Sequence, residues 1–224
     1  MLYIVGAGGH GKVVADIALL NGFRDIVFLD DSVGSCANYP YSIIGTTDLL
    51  KTIPPESAFI AIGNAGRRKK LLSIAQEFGW TIPTLVHPNA VISSGVTVGS
   101  GTVIMAGAIV NAASKIGKGC IINTSSSVDH DCNVGDYAHI SVGAHLAGGV
   151  EIGQNTWIGI GATVSNNCQI TDDCVIGAGA VVVKDISKKG TYLGVPACEK
   201  SEFLRLRHLL SRQKDISRAE EDSF

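Results

Sequence analysis

The sequence predicts a small parallel α/β domain, then a parallel β-helix, then a short helical tail. Three observations carry this prediction: a glycine-rich strand-turn-helix pattern at the start, a strict six-residue repeat from about residue 90, and a charged segment after residue 198. The chain has 224 residues, 46% of them hydrophobic, so it can form a substantial core. We place the three parts at residues 1–85, 86–198 and 199–224.

The first part reads YIVGAGGHGKVVADIALL, a strand, a glycine turn and a helix. Gly6, Gly8 and Gly11 fit G-x-G-x-x-G, in which glycines let the backbone approach a phosphate. A second strand, IVFLDD, and a third, FIAIGN, end in polar residues, and the third precedes a basic helix start. Because the repeat leaves roughly half the length of a two-lobed dinucleotide fold, one nucleoside diphosphate fits this part better than NAD.

The second part is a repeat in which an aliphatic residue recurs every six positions. The sixteen residues are Ile92, Val98, Ile104, Val110, Ile116, Ile122, Val128, Val134, Ile140, Leu146, Ile152, Ile158, Val164, Ile170, Ile176 and Val182. The residue two places before each is small or β-branched. Two inward positions separated by two residues indicate a short strand. Since one such unit cannot bury its own apolar face, we expect the units to stack into a parallel β-helix.

Two further residue classes fit this repeat. Four cysteines fall at the small inward position and no CxxC occurs, so we interpret Cys120, Cys132, Cys168 and Cys174 as packing residues. Glycine or asparagine often follows the aliphatic position, and we expect turns with unusual backbone angles there. These residues are Gly99, Asn111, Gly117, Asn123, Gly135, Gly153, Gly159 and Gly177.

Charge and hydropathy exclude several classes of protein. The net charge is -2 without a basic block, which argues against a nucleic-acid or membrane-surface binder. The longest apolar runs are far below the roughly 20 residues that span a bilayer, and the N-terminus lacks the pattern of a signal peptide. We therefore expect a soluble, cytoplasmic protein.

The repeat resembles that of the hexapeptide-repeat acyltransferases, whose repeats wind a left-handed β-helix with three hexapeptides in each coil. The resemblance implies about five coils, with residues eighteen apart stacked on one another. GAGGHG, His87-Pro88, IINTSSSVDHDC, HISVGA and LGVPA extend the likeness over residues 1–198. They resemble one subfamily, the bacterial nucleotide-4-aminosugar N-acetyltransferases and sialic-acid O-acetyltransferases. That family implies a nucleotide-sugar domain, acetyl-CoA bound along the β-helix between two subunits of a homotrimer, and no metal.

His130 stands between two acids in SSVDHDCNVG and falls outside both inward positions, so we expect it to project from the coil. Its stacking neighbours, Ala112 and Gly148, are small and would leave a shelf for a flat ligand. A carboxylate that accepts from one imidazole nitrogen makes the other nitrogen more basic. The resemblance implies that His130 is the general base and Asp131 its orienting partner, with Asp129 as the alternative partner.

The resemblance implies two further groups of contacts. Substrate contacts match Gly8, Gly9, His10, Asp30, Asp31 and Gly63. Acetyl-CoA contacts match His139, Ile160 and Ala178, although the family commonly has glycine at the last position. For Asp30 and Asp31, a loop cap at a strand end is the alternative interpretation, and we interpret His145 as a surface residue.

The preferred function is acetyl-CoA-dependent acetylation of the 4-amino group of a UDP-, dTDP- or GDP-linked amino sugar. The same fold and base could acetylate a sialic-acid hydroxyl. His130, His139 and His145 could instead bind zinc across a trimer interface, as in γ-type carbonic anhydrases. A non-catalytic NAD-binding scaffold is a further alternative.

The tail after LGVPA departs from the family pattern. Leu204, Leu209 and Leu210 could form an apolar stripe that covers the open end of the β-helix. Alternatively, basic side chains could meet CoA phosphates, or the helix could simply present a solvated face. The basic residues are Arg205, Arg207, Arg212 and Lys214.

Overall fold

The computed structural model describes residues 1–32, 40–207 and 209. The chain begins with an α/β domain whose four parallel strands lie in the order β3-β2-β1-β4. Its elements are β1 (Leu2–Val5), α1 (Gly9–Leu20), β2 (Ile26–Leu29), β3 (Ile43–Gly45), a 3-10 helix (Thr47–Lys51), β4 (Ser57–Ile60) and α2 (Ala65–Glu77). The strand order reverses between β1 and β4, and ligands of open parallel sheets bind at such a point, beyond the carboxyl ends of the strands.

Alternate residues of β1 enter two different cores, as a strand buried on both faces requires. Leu2 and Ile4 pack on the α1 side with Val14, whereas Tyr3 and Val5 pack on the α2 side. The α1-side core continues into the repeat, so the two parts of the chain share buried apolar surface.

The repeat forms a parallel β-helix of two-residue strands. The strands are β5 (Leu85–Val86), β6 (Val91–Ile92), β7 (Thr97–Val98), β8 (Val103–Ile104), β9 (Ile109–Val110), β10 (Lys115–Ile116), β11 (Ile121–Ile122), β12 (Ser127–Val128), β13 (Asn133–Val134), β14 (His139–Ile140), β15 (His145–Leu146), β16 (Glu151–Ile152), β17 (Trp157–Ile158), β18 (Thr163–Val164), β19 (Gln169–Ile170), β20 (Val175–Ile176) and β21 (Val181–Val182). Ile122 pairs with Ile140 and Ile140 with Ile158, so residues eighteen apart stack as expected.

The strands form the three faces of a prism. The first face contains β5, β8, β11, β14, β17 and β20; the second contains β6, β9, β12, β15, β18 and β21; the third contains β7, β10, β13, β16 and β19. The aliphatic residues and the four packing cysteines fill the interior, which confirms both predictions. The chain passes from the first face to the second, then to the third, and so on up the prism.

The expected position of the unusual backbone angles is wrong by two residues. The left-handed residues lie three places after the aliphatic residue, for example at Gly101 (φ +70) and Ala113 (φ +60). Gly99 is needed for another reason: a Cβ there would lie 2.5 Å from the backbone nitrogen of Lys118 in the next coil. Close approach between coils, rather than turn geometry, explains the glycine that follows the aliphatic residue.

The chain closes the prism with β22 (Thr191–Leu193) and β23 (Cys198–Glu199), which pair antiparallel, and residues 200–207 are helical. Phe203 contacts the turn here, since a Cβ on Gly194 would lie 2.8 Å from its ring. Leu204 and Leu209 are 49% and 52% exposed, which agrees with the solvated helical face and not with the alternative of a leucine stripe. Leu210, Arg212 and Lys214 lie outside the described residues. Within the described residues, no helix has the length and apolar character needed to cross a membrane.

Candidate functional site

The glycine turn between β1 and α1 forms one wall of a cleft in the α/β domain. Gly6 has φ +105, and a Cβ on Gly11 would lie 1.9 Å from the Gly6 carbonyl oxygen, so both positions require glycine. A Cβ on Gly8 or Gly9 would meet nothing within 4 Å. These two glycines therefore face open space at the start of α1, where a ligand can approach the backbone.

Two acids at the end of β2 form the opposite wall. Asp30 Oδ2 accepts a hydrogen bond from the Ala7 backbone nitrogen at 2.7 Å. Asp31 Oδ1 accepts from the Thr47 backbone nitrogen at 2.9 Å, and its Oδ2 lies 2.7 Å from Arg67 Nη2. The Thr47 backbone donor, with a contribution from Arg67, holds the pKa of Asp31 below its usual range. Both acids thus cap loops, and the rest of their surface faces the cleft.

The cleft has a volume of about 290 Å³ and brings together every residue for which the family implied a substrate contact. These are Gly8, Gly9, His10, Asp30, Asp31 and Gly63. His10 Nε2 is buried and has no hydrogen-bond partner among the described residues. Burial, together with the nearby Arg68, lowers the pKa of His10 to about 4, so the ring is neutral at physiological pH.

A second cavity of about 540 Å³ lies between the start of α2 and the first face of the prism, and it shares Gly63 with the cleft. Its wall includes His139, whose ring stacks on Trp157 with centroids 5.8 Å apart and planes 3° from parallel. Asn123 Nδ2 lies 3.0 Å from His139 Nε2, a contact in which the amide donates when the imidazole proton is on Nδ1. Burial, Arg68 and His10 lower the pKa of His139 to about 3.

Ile160 and Ala178 lie away from His139, at the corner where the first face turns into the second. They occupy equivalent places in successive coils and are exposed, as is Val142 one coil earlier. This corner is therefore a shallow apolar edge, without a wall on one side in a single chain.

His130 lies at the corner between the second and third faces, outside the prism, as predicted. Its Nδ1 is 2.7 Å from Asp131 Oδ2, and its side chain is 62% exposed. Asp129 makes different contacts: its Oδ1 accepts from the His130 backbone nitrogen at 2.8 Å and from Asn111 Nδ2 at 2.9 Å. The hydrogen bond to Asp131 is the largest of the effects that raise the pKa of His130. Asp131, rather than Asp129, is the acid that contacts the ring.

The shelf beside His130 is formed by Gly148, one coil further on. A Cβ on Gly148 would lie 2.6 Å from both Cε1 and Nε2 of the imidazole. The ring therefore rests against this glycine, and Nε2, the nitrogen that does not face Asp131, lies at the same shelf. The Gly148 amide nitrogen donates to no group among the described residues.

The three histidines of the repeat lie in different places on the prism. His139 is on the first face, and His130 is at the corner opposite that face. His145 is on the second face, where its Nδ1 lies 2.9 Å from Ser127 Oγ. In the described part of the chain, no three His, Cys, Asp or Glu side chains gather as a metal site would require. His130 and His139 therefore lie on opposite sides of the prism within one chain.

The sequence did not reveal two residues at this site. Trp157 lines the second cavity, whereas Arg68 lines neither cavity but donates to the carbonyl oxygen of Gly63, which lines both. Trp157 stands eighteen positions after His139, so the stacking distance of the repeat could have identified it. Arg68 reads as part of a basic helix start, yet it is only 1% exposed. Only the packing of the two parts of the chain distinguishes it from its exposed neighbours.

Comparison with known proteins places the chain in a family. Residues 1–75 match the family described as PglD N-terminal domain, and residues 149–184 match the family of bacterial transferase hexapeptide repeats. UDP-N-acetylbacillosamine N-acetyltransferase of Bacillus subtilis is 38% identical over 113 residues, which is 46% of this chain and 50% of that protein. The chain thus matches about half the length of this relative.

Solved structures extend the similarity over both parts of the chain. The acetyltransferase domain of PglB from Neisseria gonorrhoeae, in complex with acetyl coenzyme A, is 42% identical with a TM-score of 0.84, covering 88% of this chain and 98% of that chain. PerB from Caulobacter crescentus, in complex with CoA and GDP-perosamine, is 36% identical with a TM-score of 0.81, covering 89% and 96%. These matches confirm the predicted fold class, an α/β domain joined to a left-handed β-helix. The chain belongs to the PglD-like family of hexapeptide-repeat acyltransferases.

Proposed function

We propose that this protein transfers an acetyl group from acetyl-CoA to the 4-amino group of a nucleotide-linked amino sugar. The observation that carries the proposal is the His130 site: an exposed imidazole bonded to Asp131 through Nδ1, with Nε2 at the Gly148 shelf. The names of the relatives support the reaction, because they include an acetyl-CoA complex, a complex with CoA and GDP-perosamine, and an acetyltransferase of an amino-sugar nucleotide.

In this proposal residues 1–85 hold the nucleotide sugar, with the diphosphate near Gly8 and Gly9 at the start of α1. The cavity beside His139 shares the lining residue Gly63 with this cleft, so we propose that the sugar extends from the cleft toward the prism on this side. UDP-, dTDP- and GDP-4-amino-4,6-dideoxyhexoses are the candidate substrates. Since the reaction consumes acetyl-CoA and a nucleotide sugar, we expect it to occur in the cytoplasm.

The chemistry needs a base and a donor for negative charge. The sugar amine attacks the thioester carbonyl carbon while His130 Nε2 removes its proton, and Asp131 stabilises the imidazolium that forms. The Gly148 amide, which donates to no group among the described residues, is the proposed donor to the developing oxyanion. The C–S bond then breaks, and the CoA thiolate takes the proton from His130. No acyl-enzyme is required.

The proposal also requires more than one copy of the chain. Because His130 and His139 lie on opposite sides of the prism, we propose that two subunits supply them to one acetyl-CoA. The exposed corner at Ile160 and Ala178 would then gain its missing wall from a neighbour. A closed trimer satisfies this arrangement with three equivalent sites.

His130→Ala tests the proposal. We expect turnover of a nucleotide 4-amino sugar to fall by about 10²- to 10⁴-fold, the contribution of a general base, while nucleotide affinity stays the same. Turnover is measured by CoA thiol release with UDP-, dTDP- and GDP-linked substrates, and affinity by calorimetry. His145→Ala, another exposed histidine of the repeat, is the matched control and should retain wild-type turnover. Equal loss of turnover and nucleotide affinity in His130→Ala would contradict a role confined to chemistry.

A further inference from the structure

Arg68 joins the two parts of the chain through four hydrogen bonds to backbone carbonyls. Its Nη1 donates to Ile62 O at 2.7 Å and to Gly63 O at 2.8 Å. Its Nε donates to Gly119 O at 2.6 Å and its Nη2 to Tyr137 O at 2.5 Å. The first two acceptors belong to the loop after β4, which lines the nucleotide cleft. The other two belong to successive coils of the prism, at the corner that leads into the first face.

Two of these acceptors, Gly63 and Tyr137, lie next to the candidate binding sites of the α/β domain and the prism. Gly63 lines both the nucleotide cleft and the cavity beside His139. Tyr137 lies two residues before His139, which begins β14. A shift of the loop at Gly63 therefore changes the position of Arg68, and Arg68 is bonded to the chain that carries His139.

The charge of Arg68 has no counter-ion in the described structure, where no carboxylate lies within ion-pair distance of it. Burial lowers the pKa of Arg68 to about 10, so it remains a cation at neutral pH. A buried cation without a counter-ion is costly to keep, although its hydrogen bonds to four backbone carbonyls offset part of that cost. Arg68 lies near one histidine of each cavity, because its charge contributes to lowering the pKa of His10, which lines the cleft, and of His139, which lines the second cavity.

We propose that Arg68 is a positioning residue that couples occupancy of the nucleotide cleft to the alignment of the His139 side of the acetyl-transfer site. The proposal rests on the proposed function, because it assumes that the cleft holds a nucleotide diphosphate. The bound diphosphate fixes the loop at Gly63, which Arg68 holds through Nη1, and Arg68 passes this constraint to the prism corner through its hydrogen bonds to Gly119 and Tyr137. Arg68 contacts neither reacting atom and acts through the backbone of Gly63 and Tyr137.

The test compares Arg68→Lys with Lys70→Met, an exposed position on the same helix, in the full-length protein. Arg68→Lys keeps the charge but cannot reach four carbonyls in a fixed plane. We expect turnover to fall by about 10- to 100-fold, as misalignment of reacting groups produces. The KM for acetyl-CoA and the affinity for UDP, GDP or dTDP should stay within about threefold of wild type. Lys70→Met should match wild type throughout. Turnover of Arg68→Lys within about twofold of wild type would overturn the proposal.

Amide hydrogen exchange on the wild-type protein decides the question if Arg68→Lys does not fold. Saturation with UDP, GDP or dTDP, whichever binds, should slow exchange over residues 137–141, on the prism side of Arg68. Unchanged exchange there, with slowing confined to the cleft, would refute the coupling. Failure of the proposed function is a different result, because wild-type protein would then release no thiol with any nucleotide amino sugar.

Discussion

Substituting Gly148 by alanine tests the geometry of the proposed base most directly. The new Cβ would lie 2.6 Å from Cε1 and Nε2 of His130, whereas ordinary carbon contacts lie at about 3.5 Å or more. The imidazole must therefore move by roughly 0.9 Å or rotate, which disturbs its 2.7 Å hydrogen bond to Asp131. A displacement of about 1 Å in a reacting group costs about 100-fold in rate. We expect kcat of Gly148→Ala to fall by that factor.

The folded state should tolerate this change. Gly148 does not have a left-handed backbone angle, and the ring that must move is exposed, so the free energy of unfolding should change by less than about 1 kcal/mol. Kinetics by thiol release and a urea titration measure the two effects. Gly190→Ala is the matched control, since a Cβ there meets only Tyr192 at 3.6 Å. If Gly148→Ala keeps kcat within about threefold of wild type, the shelf does not position the base.

Two further predictions concern Asp131, the neighbour of His130, and the buried Ile140. Asp131 raises the pKa of His130, and the proposed base acts as the neutral ring, so kcat/KM should rise with pH through a value above about 6.5. Asp131→Asn should move this rise to lower pH and lower its plateau, and an unchanged pH profile would exclude Asp131 as the partner. Ile140 is 0% exposed between its stacked neighbours, so Ile140→Ala should lower the free energy of unfolding by about 2 to 5 kcal/mol. Val142→Ala, at an exposed position, should lower it by less than about 0.5 kcal/mol. Denaturant titration checks the second, and equal losses in the two variants would argue against a packed prism interior.

The sequence was sufficient for the architecture of the repeat because its period leaves few solutions. An aliphatic residue every six positions must face inward in every unit, and stacking the units is the way to bury that face. The observed pairing of residues eighteen apart follows from three units in each coil, a number that came from the family resemblance. The glycines were harder to interpret, because a glycine can meet either a left-handed angle or a close neighbour. Gly99 meets the second requirement, and the sequence cannot distinguish the two.

Part of the candidate site could also be predicted from the sequence. His130 lies outside the inward positions, and Asp131 is its neighbour in the chain, so local geometry was enough to bring ring and carboxylate together. The choice between Asp129 and Asp131 needed the structure, because Asp129 turns to the His130 backbone nitrogen and to Asn111, a residue of the preceding coil. Competition among hydrogen-bond donors from different coils decided it.

The sequence by itself determined the stacked repeat, the outward histidine and the glycine turn, since each depends on residues that are close in the chain or repeat at a fixed interval. Tertiary structure alone decided how the cleft of the α/β domain meets the prism. Arg68 reaches Gly119 and Tyr137 across 51 and 69 residues, and no periodicity relates those positions. These contacts depend on how the α/β domain packs against the prism. That packing is determined by all the residues of both surfaces and not by any local sequence pattern.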